Sequence, residues 1–276
     1  MKIELPEKIN LSSSEKYILF FRISDERSSF SIYNPVEDGS FFYYEIEEKF
    51  SGNSFENIKE FFYVNDFLLA SYRKVFVVNN TSAFTFVPVN IFNEEKKENF
   101  FQFNFSDVEN KLLIQTMRKP ELVILHTISK NVFDFFNRSF IAPQYIHHLS
   151  PLFSYFSEKL RLGNANKLII NLQDKGLDIL CFAPSGDFLF ANHFKYAHLN
   201  DVVYYIFFIW KQTNLNQLKD FIYVAGNSSQ KAELITQLQK YVQNVFPVNI
   251  TPSEHFSGLD IQHVPFDLTA LTLCEL

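Results

Sequence analysis

The sequence predicts an α/β chain of mixed sheets in which one β-β-β-α-β order is used twice. Three observations carry that prediction. Each half opens with three short apolar runs broken by turn sequences, and each trio is followed by a helical pattern and then a buried strand. A loop-like passage, Arg161-Leu162-Gly163-Asn164-Ala165-Asn166, separates the halves. A chain of 276 residues has room for two small domains.

After Ser12-Ser13-Ser14 come strands from Tyr17 to Ile23, Ser29 to Asn34 and Ser40 to Glu47. The turn-formers Ser24-Asp25-Glu26-Arg27 and Pro35-Val36-Glu37-Asp38-Gly39 separate them, so an antiparallel meander is expected. Ser54 caps a helix from Phe55 to about Leu69, with Phe55, Ile58, Phe62 and Leu69 on one face, and Lys74 to Val78 returns as a buried strand. The middle, 80–165, is less regular. It reads as an extended run Thr85 to Phe92, a short helix Glu94 to Gln102, a strand pair Lys111 to Thr116 with Glu121 to Ile128, and helices Val132 to Phe140 and Pro151 to Leu160. Residues 1–163 are expected to form a first domain with this elaborated segment inside it.

Residues 164–276 repeat the pattern with better definition. Strands Lys167 to Leu172, Leu177 to Phe182 and Phe188 to Phe194 are joined by Gln173-Asp174-Lys175-Gly176 and Pro184-Ser185-Gly186-Asp187. Asn200 or Asp201 caps a long helix to about Thr213, apolar nearly all round and so expected to be central. A strand Phe221 to Ala225, a helix Ser229 to Gln243, a strand Val245 to Ile250 and a helix Phe266 to Cys274 complete the domain.

Composition excludes several classes. The 34 Phe against 1 Trp and 2 Met describe a core padded with phenylalanine rather than a ligand site. Net charge is −6 and no basic stripe exists to displace counterions from phosphates, so no nucleic-acid partner is expected. The longest apolar run, Val202 to Trp210, falls far short of the roughly 20 residues that span a bilayer. No apolar leader opens the chain and only 2 Cys occur, which predicts a reduced, cytoplasmic protein. Of the 7 glycines the closest pair is Gly176 and Gly186, so neither a Walker loop nor a dinucleotide G-x-G-x-x-G can be written. His147 and His148 would point to opposite sides of a strand, His193 and His198 flank a turn, and no histidine has metal-ligand spacing, so no metal is expected. Cys181 reads as an inert core thiol and Ser185 as a turn serine.

The doubled order resembles the ribonuclease-H-like fold as the actin-like ATPase superfamily uses it: actin, the Hsp70 nucleotide domain, sugar kinases, and bacterial pilus and division adaptors. More narrowly, Val224-Ala225-Gly226-Asn227-Ser228 and Phe182-Ala183-Pro184-Ser185-Gly186 are similar to strings of an uncharacterised bacterial domain family in that superfamily. The resemblance implies two β-β-β-α-β-α-β-α domains. It also implies a glycine-containing phosphate loop, opened by an aspartate, between the first two strands of each, where bare amides meet phosphate and the carboxylate organises a metal ion.

Those loops are eroded. The first, Arg22 to Ser29, has no glycine. The second, Asn171 to Asp178, keeps only Gly176 and begins with Asn171 where the pattern has aspartate. A tight hairpin with Gly176 at positive φ explains it without a ligand. The adenosine-side loop, Gly226-Asn227-Ser228-Ser229, after a strand and before a helix, is the least eroded, although Asn227 or Ser228 as a plain N-cap explains it without a ligand. Gly226, Asn227, Ser228, Asp174 and Gly176 are thus the candidates for a nucleotide site. A nuclease would need acids inside the first strand of a half, and neither Tyr17 to Ile23 nor Lys167 to Leu172 has one. A small-metabolite kinase would need a carboxylate base, for which only Asp25 and Asp178 offer themselves.

The expectation is a non-catalytic, actin-like protein that binds a protein or peptide partner, with no catalytic residues and no cofactor. The exposed side chains of Phe41-Phe42-Tyr43-Tyr44 mark a strand on which a peptide could add, and an ordinary strand with one buried face explains the same run. The alternative is a nucleotide-binding protein holding ATP with Mg and hydrolysing it weakly or not at all. The sequence leaves oligomeric state open.

Overall fold

The structure, a computed structural model, describes residues 2–24, 27–37, 40–46, 54–105, 110–118, 120–159, 163–249, 261 and 263–274. The chain divides into two compact units, Met1–Ser150 with Pro252–Asp260, and Pro151–Thr251 with Ile261–Leu276. The division falls at Ser150/Pro151, whereas the sequence places it at 163/164. The helix beginning at Leu149 accounts for the difference, because its Phe153 ring packs against Phe182 and Phe188 of the second unit at 5.9 and 5.2 Å.

In the first unit, β1 (Ile18–Ser24), β2 (Ser29–Tyr33) and β3 (Phe42–Glu45) form the predicted meander. Asp25, Asp38 and Gly39, in the connecting turns, and Glu47 lie outside the described residues. Helix α1 (Ser54–Val64) stops earlier than predicted. Asn65 leaves helical geometry at φ −114, its side chain donating to the Phe61 carbonyl and accepting from the Ile3 amide, and only a 3-10 turn (Asp66–Leu69) follows. Strand β4 (Lys74–Asn80) then runs parallel to β1.

The irregular middle is an insertion with its own sheet. Strands β5 (Phe84–Pro88), β6 (Lys111–Met117) and β7 (Leu122–Ile128), with α2 (Lys97–Gln102) between β5 and β6, pair antiparallel in the order β5-β7-β6. Val87, Phe101, Leu112, Val123 and Leu125 form a separate small core there. Helix α3 (Lys130–Ser139) rejoins the main core through Val132 and Phe136. Strand β8 (Gln144–His147), not among the expected strands, completes a five-stranded sheet ordered β3-β2-β1-β4-β8. The phenylalanine excess is used here. Phe62 packs against Phe21 at 4.9 Å and Phe136 at 5.6 Å, all fully buried, at ring separations where offset and edge contacts are favourable.

The second unit begins within α4 (Leu149–Lys159), at Pro151, continues through β9 (Lys167–Leu172), β10 (Gly176–Phe182), β11 (Phe188–Lys195), α5 (Leu199–Gln212), β12 (Phe221–Ala225), α6 (Lys231–Leu238) and β13 (Asn244–Pro247), and ends with α7 (Phe266–Leu273). Its sheet is ordered β11-β10-β9-β12-β13, strand for strand the order of the first. In both, the first strand is antiparallel to the second and parallel to the fourth. This identical topology is the duplication the sequence predicts. The α5 expectation needs correction. Val202, Ile206, Ile209 and the lone Trp210 face the core, but Tyr204 and Phe208 face outward, so the helix is buried on one side only. Its N-cap is His198 rather than Asn200 or Asp201; Asp201 is the third helical residue, and its carboxylate reaches back to accept from the amides of Ala197 and His198. Those bonds hold its carboxyl below the usual range.

Candidate functional site

The register of the β9–β10 hairpin sets Asn171 opposite Asp178, and that of β10–β11 sets Asp178 opposite His193. Residues directly opposite on neighbouring strands share a face of the sheet, so three polar side chains stand in a row. Asp178 is fully buried. One of its oxygens accepts from Asn171 Nδ2 at 2.8 Å and Gln173 Nε2 at 2.9 Å, and the other meets His193 Nδ1 at 2.7 Å. Facing a carboxylate acceptor, Nδ1 carries the ring proton. A buried carboxylate is tolerable only with such donors, and it does not stand open as the base of a kinase. Asp25, the other kinase candidate, lies outside the described residues. Asn171 Oδ1 is buried and has no hydrogen-bond partner among the described residues.

The loop after β12 closes on this end of β9. Gly226 has φ +104, and a Cβ on it would collide with the Leu172 carbonyl oxygen and come within 2.6 Å of the Leu172 nitrogen. Glycine is required here by backbone meeting backbone. Ser228 N donates to that carbonyl at 3.3 Å, Gln173 N donates to Gly176 O at 2.8 Å, and the Tyr196 hydroxyl donates to Gln173 O. Burial is the main cause of a raised Tyr196 pKa, and the nearby Asp174 charge adds to it, so the phenol stays a donor. Asp174 itself is exposed on the turn.

Gly226, Gly176, Asn227 and Ser228 each have a local structural role. Gly176 does not take the positive φ expected of it; a Cβ there would come within 2.9 Å of His193 Cε1, so the missing side chain makes room for the imidazole. Asn227 is not an N-cap. Its Nδ2 donates to His263 O at 3.0 Å, and α6 starts later, after Gln230, whose amide donates to Ser228 Oγ. In the first unit Ser28 Oγ accepts the Ser24 amide at 3.2 Å at the corresponding turn.

Sequence reasoning missed a second polar cluster, where the insertion meets β4 and β8. Asn79 Nδ2 donates to His126 Nδ1 at 3.0 Å and to Thr127 O at 2.9 Å. Nδ1 is therefore an acceptor and the proton sits on Nε2, which is buried without a hydrogen-bond partner among the described residues. Burial, then the neighbouring His148, lowers the His126 pKa from 6.5 to about 3. His147 and His148 do not point to opposite sides of a strand. Strand β8 ends at His147, the His148 amide still donates to the Asn79 carbonyl on β4, a helix begins at Leu149, and the two rings lie 4.4 Å apart. His193 lies inside β11 and His198 immediately precedes α5, so the segment between them is a strand end and a cap.

The profile of a family described as "Protein of unknown function (DUF3822)" matches residues 6–245. A crystal structure of a Bacteroides thetaiotaomicron VPI-5482 protein with actin-like ATPase fold and unknown function is 33% identical, covers 97% of this chain and 99% of its own, and superposes with a TM-score of 0.83. A chain of the PilM-PilN type IV pilus biogenesis complex is 10% identical, covers 93% of this chain and 96% of its own, and gives a TM-score of 0.61, a likeness of fold alone. No curated protein sequence matches. Among the described residues no helix is long and apolar enough to cross a membrane.

Proposed function

Since the chain belongs to the DUF3822 family and has the actin-like ATPase fold, we propose that it is a non-catalytic module for binding a protein or peptide, its phosphate loops closed upon themselves. One observation carries the reading. In the second unit the phosphate-loop turn and the adenosine-side loop are tied to their own backbone: the Gln173 amide is given to the Gly176 carbonyl and Tyr196 ties down Gln173, while Gly226 rests on Leu172 and the Ser228 amide is given to the Leu172 carbonyl. A phosphate site needs convergent unpaired amides, so a nucleotide would have to break these bonds before making its own. The occurrence of a neighbour of this fold in the PilM-PilN complex supports a role in protein assembly.

Strand β3 offers a place for such a partner. Among the described residues it is one of the two edge strands of its sheet, β8 being the other. Phe42 and Tyr44 pack toward the core on Phe30 at 5.9 and 5.6 Å, while the outer backbone edge suits addition of an extended segment.

The test is the melting temperature with and without millimolar Mg-ATP, Mg-ADP and Mg-GTP. Ligand at 100 times its dissociation constant stabilises by about 2.7 kcal/mol, a shift of about 2–4 °C per kcal/mol in a chain of this size. No shift is expected. An adenine-specific rise that Asp174→Asn removes would overturn the reading and make Gly226, Asn227, Ser228, Asp174 and Gly176 a nucleotide site. Gly226 itself is unsuitable for that test, because enlarging it displaces Leu172 whatever the ligand.

A further inference from the structure

Helix α5 carries aromatic side chains where a surface helix ordinarily carries polar ones. Tyr204 is 64% exposed and Phe208 47%, and their rings stack at 6.2 Å along the outer face. Together with Asn200, Val203, Phe207 and Lys211 they line one shallow groove. The Phe207 ring extends the patch edge-on to exposed Tyr241 at 5.3 Å.

We propose that this face is a dimer interface, with α5 packed antiparallel on α5 of a second copy of the chain. The occupant is identified by the pattern being its own complement. In an antiparallel pair with the two-fold axis level with Ile206, residues equally far from Ile206 stand at the same height on the two helices. Tyr204 then stands opposite Phe208 of the second copy, and Phe208 opposite Tyr204. Lys211, at the exposed end of the same stripe, stands level with the second copy's Asp201, and the symmetry makes that pairing twice. A parallel pair would instead put Asp201 against Asp201 and Lys211 against Lys211, so the charges select the antiparallel arrangement. Asp201 uses one carboxylate oxygen, Oδ2, to cap its own helix, which holds the side chain at the outer rim of the face. Aromatic anchors at the centre with charges at the rim are the usual anatomy of a specific interface.

The experiment is light scattering on the whole protein across micromolar concentrations. A mass that doubles with concentration is expected, and Phe208→Glu should weaken dimerisation by about tenfold or more. Lys211→Glu, which sets acid against Asp201, should weaken it as well. Tyr204 and Phe208 are exposed, so far-UV circular dichroism of the variants should match the parent, and their melting should match that of the parent at concentrations where the parent is monomeric. In a Cys274→Ser background, mixing Tyr204→Cys protein with Phe208→Cys protein under mild oxidation should give more covalent dimer than either alone. A monomer at every concentration, a dimer indifferent to Phe208→Glu, or cross-linking as strong with Tyr204→Cys alone would each overturn the proposal.

Discussion

Acidification should destabilise the first unit through His126, by an amount that can be worked out in advance. The folded unit holds this imidazole neutral, with a pKa of about 3 against 6.5 for an unhindered histidine. Below about pH 6.5 the unfolded chain takes up a proton that the folded one refuses, so the contribution of His126 is complete above that pH and declines toward about pH 3. At about pH 5 the loss is about 2 kcal/mol, and it approaches about 5 kcal/mol near pH 3, at ~1.4 kcal/mol per unit. The measurement is urea unfolding followed by far-UV circular dichroism at about pH 7.5 and about pH 5, for the parent and for His126→Asn. Asparagine keeps an acceptor for Asn79 near the Nδ1 position but does not titrate. The substitution itself will lower stability at both pH values, so the informative quantity is the difference between the two pH responses. His147 and His148, which lie against the same site, are present in both proteins, and the influence of His148 on His126 is part of the effect measured. The parent should lose about 2 kcal/mol more than the variant. Equal losses would refute the reasoning, because they would mean that His126 protonates in place and that the bond from Asn79 does not fix its tautomer.

Three further outcomes are expected. Gly226→Ala should cost several kcal/mol or prevent folding, since its Cβ meets Leu172 backbone at φ +104, whereas Gly186→Ala, with φ +89 but open space around it, should cost about 1–2 kcal/mol in a denaturant titration. Asp178→Ala should lower unfolding free energy by about 3–5 kcal/mol by stranding the donors of Asn171, Gln173 and His193, and a loss under about 1 kcal/mol would show that the row is solvated. The Cys181 thiol, fully buried and pushed up to about 11 by that burial, should stay silent to a thiol reagent until the chain unfolds, while partly exposed Cys274 reacts in the native state.

The elements most legible in the sequence were those whose periodicity and punctuation agreed. Strands β9 and β12 occupy the predicted residues, because each is a short apolar run between polar turns. Strand β8 escaped notice for the opposite reason. It is four residues long, begins with Gln144 and follows Ala142 at φ 48, so neither length nor alternation marks it. Helix α5 misled because tyrosine and phenylalanine count as apolar in any pattern, although Tyr204 and Phe208 face outward. The polar row was hidden by sequence distance: Asn171, Asp178 and His193 come from three strands that each read as apolar. One signal was available. The turn from Gln173 to Lys175 joining β9 to β10 implies a register, and that register alone places Asn171 beside Asp178. The buried His126 had no such signal, since its partner Asn79 lies across an insertion boundary.

The lone Trp210 packs in the core of the second unit, and the first unit has none. Indole fluorescence therefore reports on one half of the duplicated architecture, while circular dichroism sums both. A melt recorded by the two signals together would measure, without any label or truncation, whether the halves yield as one cooperative body or in succession, since coincident transitions are the mark of a single one.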